Sequence, residues 1–387
     1  MRSIYLDHAA TTPMRQEAYE AMIPFLTEKF GNPSSIHAFG REAHKDVDGA
    51  RERVAKALNA TPQEIFFTSG GTEADNIAIL GAAAQNRNKG RHIITSAVEH
   101  HAVLYACEAL ESRGYRLTVL PVDKYGMVSP SQLEKAISDE TVLVSIMHAN
   151  NEVGTVQPIR ELAAIAHERG ALFHTDAVQS LGNIPVDVKE LQVDLLSASA
   201  HKLYGPKGVG LLYVKKGTRL ANVSYGGAQE RNLRPGTENV AGIMGFARAM
   251  ELAVAEQPET CRRLTVLRDK LIKGLTALPE VRLNGHPQQR LPGNVNVSIK
   301  RVEGESLILS LDMAGIAVSS GSACTSGSLN PSHVLMAMGL DHQTAHGSLR
   351  FTLGKSTGEE DIDYVLEVIP GIIQRLRQMS PIQAEQE

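Results

Sequence analysis

Leu196-Ser197-Ala198-Ser199-Ala200-His201-Lys202 sets a lysine behind a run of small residues, with hydroxyls before it and an imidazole beside it. A lysine among poorly hydrating neighbours loses solvation of its ammonium form. That lowers its pKa and frees the amine to form a Schiff base with an aldehyde. Read alone, a lysine is more often a solvated surface charge, as Lys207 in the Gly205-Pro206-Lys207-Gly208 turn is read to be. Other parts of the chain must therefore decide what Lys202 does.

Upstream, Ala171-Leu172-Phe173-His174-Thr175-Asp176 reads as a buried strand ending in a carboxylate. A buried carboxylate needs a cationic partner. The ring nitrogen of pyridoxal phosphate would supply one, and an aspartate there keeps that nitrogen protonated so that the ring can accept electrons. A turn or helix-capping aspartate is the plainer alternative. Gln179, three residues on, could reach the ring hydroxyl. Apolar runs such as Leu143-Val144-Ser145-Ile146 and Leu211-Leu212-Tyr213-Val214 alternate with helical patterns such as Ile159 to Glu168. That rhythm predicts an α/β fold with a mostly parallel sheet covered by helices. In such sheets ligands sit at the carboxyl ends of strands, where Thr68, Asp176 and Lys202 are expected to gather.

Ile65-Phe66-Phe67-Thr68-Ser69-Gly70-Gly71-Thr72, followed by Glu73 to Ala78, reads as strand, glycine turn and helix. The free N–H groups at such a helix start, around Gly71 and Thr72, suit a phosphate. Neither GxxxxGK[ST] nor GxGxxG is present, which disfavours a nucleotide. His100, after the strand-like His92-Ile93-Ile94-Thr95-Ser96, could stack on a cofactor ring or be structural. No HExxH or CxxC occurs among the 14 histidines and three cysteines, so no intrinsic metal is expected.

Ser319-Ser320-Gly321-Ser322-Ala323-Cys324-Thr325-Ser326-Gly327-Ser328 places five serines and two glycines around one cysteine. This composition predicts a flexible tether with an exposed thiol able to travel to a substrate and pass something on. A serine-rich loop with an incidental cysteine is the alternative. Asn330-Pro331 beyond it has the form of an N-cap followed by proline at the first helical position. Cys107, in Ala102-Val103-Leu104-Tyr105-Ala106-Cys107, reads as a small core residue.

A net charge of −4 and a pI near 6.4 give no reason to expect nucleic-acid binding. No run of about 18 apolar residues, no signal-like start and no cysteine pairing pattern point to a reducing cytoplasm without membrane contact. With 42% hydrophobic residues the core can be large despite the lack of tryptophan. The 387 residues exceed a usual single domain of roughly 100–200. The expected division is a large domain over 15–260 and a small domain from 1–14 and 261–387, with the acidic helical stretch Glu251 to Glu259, containing Pro258, as the boundary.

The whole chain resembles the group I cysteine desulfurases of the NifS/IscS type, within the class V aminotransferase family. The resemblance is carried by Tyr5-Leu6-Asp7-His8-Ala9-Ala10-Thr11-Thr12-Pro13, Gly31-Asn32-Pro33-Ser34-Ser35, Thr68 to Glu73, and His148-Ala149-Asn150-Asn151-Glu152. The lysine segment through Gly208, Gly226 to Arg231, Arg234 to Asn239 and the Cys324 segment complete it. It implies the aspartate aminotransferase-like fold of pyridoxal phosphate enzymes of fold type I. It implies that Lys202 holds the cofactor, Asp176 pairs with the ring nitrogen, Gln179 contacts the ring hydroxyl and His100 stacks on the ring. Thr72, Ser199 and His201 would take the phosphate, with Thr237 arriving from the other subunit of a homodimer. Asn151 and Arg350 would hold the substrate carboxylate, for which a planar guanidinium is suited.

The implied reaction converts L-cysteine to L-alanine and leaves a persulfide on Cys324. Lys202 acts as the base and His100 manages protons on sulfur. The persulfide would pass to an acceptor such as an iron–sulfur scaffold or a tRNA-thiolation enzyme. Contact of Cys324 with an iron–sulfur cluster would be transient. A nitrogenase-maturation scaffold also stays open as acceptor, selenocysteine stays open as substrate, and little C-terminal extension follows the last helix around Gln374 to Arg377. The rival readings are an aminotransferase, selenocysteine lyase or cysteine β-lyase of the same fold, and a non-catalytic module that docks sulfur acceptors.

Overall fold

The computed structural model describes residues 3–320 and 331–379. The Cys324 segment falls outside the described residues. Within them the strands are β1 (Ile4–Tyr5), β2 (Ile65–Thr68), β3 (His92–Ser96), β4 (Arg116–Leu120), β5 (Thr141–Ser145) and β6 (Leu172–Asp176). They continue with β7 (Leu195–Ser199), β8 (Gly210–Val214), β9 (Val281–Asn284), β10 (Asn294–Ile299), β11 (Ile316–Ala317) and β12 (Ser348–Thr352).

Seven of these strands form one sheet in the order β2-β8-β7-β6-β5-β3-β4. Its pairs are parallel except that β8 runs against both of its neighbours. β3, β5, β7 and β8 are buried at every residue. A strand covered on both faces has no polar side to show, hence the continuous apolar runs in the sequence. Successive residues still point to opposite faces. Ile94, Val144, Leu196 and Leu211 join a core with the helix Ala38–Ala57 and the first half of the helix Val240–Thr276. Their neighbours Ile93, Leu143, Leu195 and Leu212 join the core on the other face, with the helices Gly71–Gln85 and His101–Glu111.

A second body is built on the antiparallel sheet β12-β10-β9 and the short parallel pair β1-β11. Its core gathers Leu6, Val295, Val297, Leu349 and Phe351 with the helix Glu359–Met379. The helix Val240–Thr276 serves both bodies: Ile243 to Met250 pack in the large core, Leu264 to Leu275 in the small one. Pro258 does not end this helix, although an interior proline removes a hydrogen bond. It is exposed and lies on the stretch between the two cores.

Glu230, Arg231 and Asn232 stand consecutively at φ of 45°, 55° and 69°, in the left-handed region that side chains rarely adopt. A buried clamp holds the first of them. Arg51 Nη1 and Nη2 each donate to the Glu230 carboxylate at 2.7 Å, and Phe67 N donates to Glu230 Oε2 at 2.9 Å. Removing one partner of a buried ion pair strands the other charge. Glu230→Gln is therefore expected to cost about 3–5 kcal/mol of stability, read from the shift of the urea unfolding midpoint. A loss under about 1 kcal/mol, the range of exposed pairs, would refute a structural role for the clamp.

Candidate active site

Because β2, β3, β5, β6 and β7 all run the same way, their carboxyl ends share one edge of the sheet, and a cavity of about 350 Å³ opens there. That size suits a small ligand. Its lining includes Gly71, Thr72, His100, Asn151, Asp176, Gln179, Ser199, His201, Lys202 and Arg350. Residues separated by most of the chain thus meet at one place.

Lys202 follows β7 in the short 3-10 turn Ala200–Lys202. Its Nζ donates to the carbonyls of Ala9 and Ala10, each at 2.6 Å. The N-terminal stretch is itself pinned beside the lysine: Thr12 N and Oγ1 donate to His201 O, and Arg15 N donates to Tyr204 O. Lys207 is exposed, as its turn context predicts. His201 Nδ1 lies 3.1 Å from Thr11 Oγ1. Burial, then the charges of Lys202 and Lys207, push this imidazole down to about 4, so it is neutral.

Asp176 closes β6 and is buried. Burial raises its pKa, partly offset by Val178 N–H, which donates to Oδ1 at 2.8 Å, and by the charge of Lys202. Gln179 Nε2 donates to Ala9 O at 3.0 Å. His100 caps the helix His101–Glu111, its Nδ1 accepting from Ala102 N at 3.1 Å. The ring proton therefore sits on Nε2. Burial, then Lys202 and His101, push His100 down to about 4.

The helix Gly71–Gln85 presents its N-terminus to the cavity. Gly71 is required there, because a Cβ would stand 2.7 Å from Val178 Cγ2. Thr68 supports this turn from outside the cavity, donating from Oγ1 to Gly70 O at 3.0 Å. Thr68 does close β2 at the same edge as Asp176 and Lys202, as expected, but its hydroxyl is spent on the turn and it does not line the cavity.

Arg350, in β12, is only 2% exposed. Nη1 donates to Asn151 O and Nη2 to Asp7 Oδ1, both at 2.9 Å, while Nε is buried without a hydrogen-bond partner. Glu152 beside it is pushed up to about 7 by burial, against the lowering effects of Ser332 and Arg350. Ser332 Oγ donates to Glu152, and it also caps the helix His333–Ala337. Ser332 is therefore the cap and Pro331 lies before the helix, with the buried Glu152 holding the chain at Ser332, while Asn330 falls outside the described residues. Thr237 is exposed and does not line the cavity of its own chain.

Sequence reasoning missed Asp75, Glu152, His101, Met147 and His333, which line the cavity, and Asp7, which pairs with Arg350. Asp75 carried a readable signal: it lies four residues after Gly71, hence on the same helical face, among alanines and isoleucines that are buried. Cys107 is fully buried and pushed up to about 12, as a core thiol should be.

The sequence profile described as "Aminotransferase class-V" matches residues 4–365. A protein named "Cysteine desulfurase IscS" from Methanosarcina thermophila is 56% identical over 381 residues, covering 98% of this chain and 94% of that protein. The chain belongs to the cysteine desulfurases of the class-V aminotransferase family. Solved structures agree with this family. "NIFS-LIKE PROTEIN" superposes with a TM-score of 0.91 at 42% identity, covering 97% of this chain and all of that one. "SspA in complex with cysteine" superposes with a TM-score of 0.81 at 37% identity, covering 91% and 99%. The fold type I architecture is thus that of the family. Among the described residues no helix is long and apolar enough to cross a membrane.

Proposed function

We propose that this chain is a pyridoxal phosphate-dependent cysteine desulfurase that converts L-cysteine to L-alanine and a persulfide on Cys324, passed on to iron–sulfur cluster assembly or other acceptors, tRNA thiolation among them. The single observation that carries this is the convergence of Lys202, Asp176, the Gly71 helix start and Arg350 on one cavity. The donor set fits the cofactor end by end. The helix N-terminus with Thr72, Ser199 and His201 suits a phosphate, buried Asp176 suits a cationic ring nitrogen, and Lys202 suits an aldehyde.

When bound, the cofactor supplies an aldehyde for amines and a ring that takes up the electron pair left at the substrate Cα. Arg350 and Asn151 hold the substrate carboxylate. Lys202 Nζ takes the Cα proton. His100, neutral and protonated on Nε2, moves a proton at the sulfur. Cys324, as thiolate, forms the new S–S bond as the substrate C–S bond breaks, the electron pair of that bond stays with the substrate Cβ, which takes up a proton, and alanine leaves. Glu152 sits beside Arg350, and burial, which pushes it up to about 7, reduces the negative charge it brings to this subsite.

Exposed Leu26, Phe30, Ile36 and Phe39 support a homodimer, Ile36 being 91% exposed and Phe30 stacking on Phe39 with centroids 5.6 Å apart. In it, Thr237 would reach the partner's phosphate site. The change of core along the helix Val240–Thr276 supports a domain division near residue 260. A soluble, cytoplasmic enzyme fits this chemistry, since a carrier thiol must stay reduced.

Supplied with pyridoxal phosphate, a thiol reductant and L-cysteine, the purified protein is expected to release alanine and sulfide in equal amounts. Pyruvate with sulfide would mean β-elimination instead and remove Cys324 from the reaction. No turnover would favour the docking module.

A further inference from the structure

Asp75 lies on the floor of the cavity, 1% exposed, with Oδ1 making no hydrogen bond. Its surroundings are a row of buried side chains. His174 Nδ1 lies 2.8 Å from Ser145 Oγ, His174 Nε2 lies 3.0 Å from Ser197 Oγ, and the Ser197 hydroxyl reaches the Asp75 carboxyl. His174 Nε2 is 3.6 Å from Asp75 Oδ1, beyond a hydrogen bond. With both nitrogens on hydroxyls and no exposure, the imidazole is neutral, its pKa pushed down to about 3 by burial. The row brings no positive charge to Asp75.

The other groups that act on Asp75 are acids: Asp176, two residues past His174 on the same face of β6, and Glu99. Two carboxylates in one dry pocket do not both stay ionised. Asp176 is the better compensated of the two, by Val178 N–H and by the charge of Lys202, whereas the lowering contribution to Asp75 comes from a neutral hydroxyl, that of Ser197. We propose that Asp75 is held as a neutral carboxylic acid under the ring-nitrogen subsite, a positioning residue whose proton keeps the single negative charge of the pair on Asp176. The hydrogen bonds then run in one direction. Asp75 donates to Ser197, Ser197 donates to His174 Nε2, and His174 Nδ1–H donates to Ser145. The inference rests on the reading of the cavity as a pyridoxal phosphate site.

The test is an infrared difference spectrum at neutral pH, full-length wild type minus Asp75→Asn. The expected result is the C=O stretch of one protonated carboxyl, moved by deuteration. Carboxylate bands in its place would overturn the proposal. In parallel, pyridoxal phosphate affinity and the pH titration of the visible band are compared. Asp75→Ala is expected to weaken binding roughly tenfold or more and to shift the titration, and Asp75→Asn, a neutral donor, to restore both. Equal behaviour of wild type and Asp75→Ala would overturn the positioning role, as would failure of asparagine to rescue. Where Asp75→Ala does not fold, the asparagine variant and its spectrum decide. If the wild type bound no pyridoxal phosphate, the functional reading would fall, while the infrared result would still decide the state of Asp75.

Discussion

Lys202→Ala is expected to lose the visible absorbance of lysine-bound pyridoxal phosphate and to slow alanine formation by roughly a thousandfold or more. The amine has two tasks, holding the aldehyde and then taking the Cα proton, and no neighbour can assume either. Among the described residues the other Lys or Arg lining the cavity is Arg350, whose guanidinium hydrogen-bonds Asn151 O and Asp7 and offers no primary amine. His100 and His201 are imidazoles that cannot form the same linkage, and each is tied to a helix cap or to Thr11. The carbonyls of Ala9 and Ala10 also aim the amine, so the alanine variant leaves two acceptors facing the cavity. Absorbance spectra and alanine release from L-cysteine check this. A normal visible band, or turnover within about tenfold of wild type, would refute the lysine assignment.

Cys324→Ser is expected to abolish persulfide and sulfide release while the visible band and its response to L-cysteine remain. Attack on the substrate sulfur requires a thiolate, and a serine hydroxyl neither ionises near neutral pH nor carries sulfane sulfur. The other two cysteines do not compensate. Cys107 is buried in the core against the helix Gly71–Gln85, and burial pushes it up to about 12. Cys261 is half-buried on the long helix, its Sγ donating to Asn183 O at 2.7 Å, and burial raises its pKa as well. Neither lines the cavity. Mass spectrometry of the protein after exposure to L-cysteine would show an added sulfur on wild type only. Alanine and sulfide at the wild-type rate from the serine variant would sink the assignment and point to direct elimination.

Much of the large body was legible because its signals are local. Short apolar runs marked β5, β6 and β8, and the helix Ile159–Glu168 falls where its pattern placed it. The Gly70-Gly71 turn marked the start of a helix. Other features have no local signal. Nothing near Val214 in the sequence shows that β8 runs against both of its neighbours, because direction depends on which strands pair. The stretch Glu251 to Glu259 with Pro258 reads as a domain boundary, and one unbroken helix, Val240–Thr276, runs through it because its two ends pack in different cores. Pro331 reads as the first residue of a helix, yet the helix starts at His333 with Ser332, bonded to Glu152, as its cap.

The sequence by itself determined the chemical inventory of this protein: a lysine after small residues, an aspartate closing an apolar strand, a glycine turn opening a helix, and a cysteine among serines. Such residues are recognisable because their neighbours in the chain set their exposure and backbone geometry. Only the tertiary structure decided their electrostatic state. It buries Arg350 against Asp7 across 343 residues and places two N-terminal carbonyls on Lys202. It sets Asp75 beside Asp176 with a neutral histidine between serines. Charge in a folded chain is governed by which groups share a dry pocket, and that is settled by strand pairing and helix packing between residues far apart in the chain.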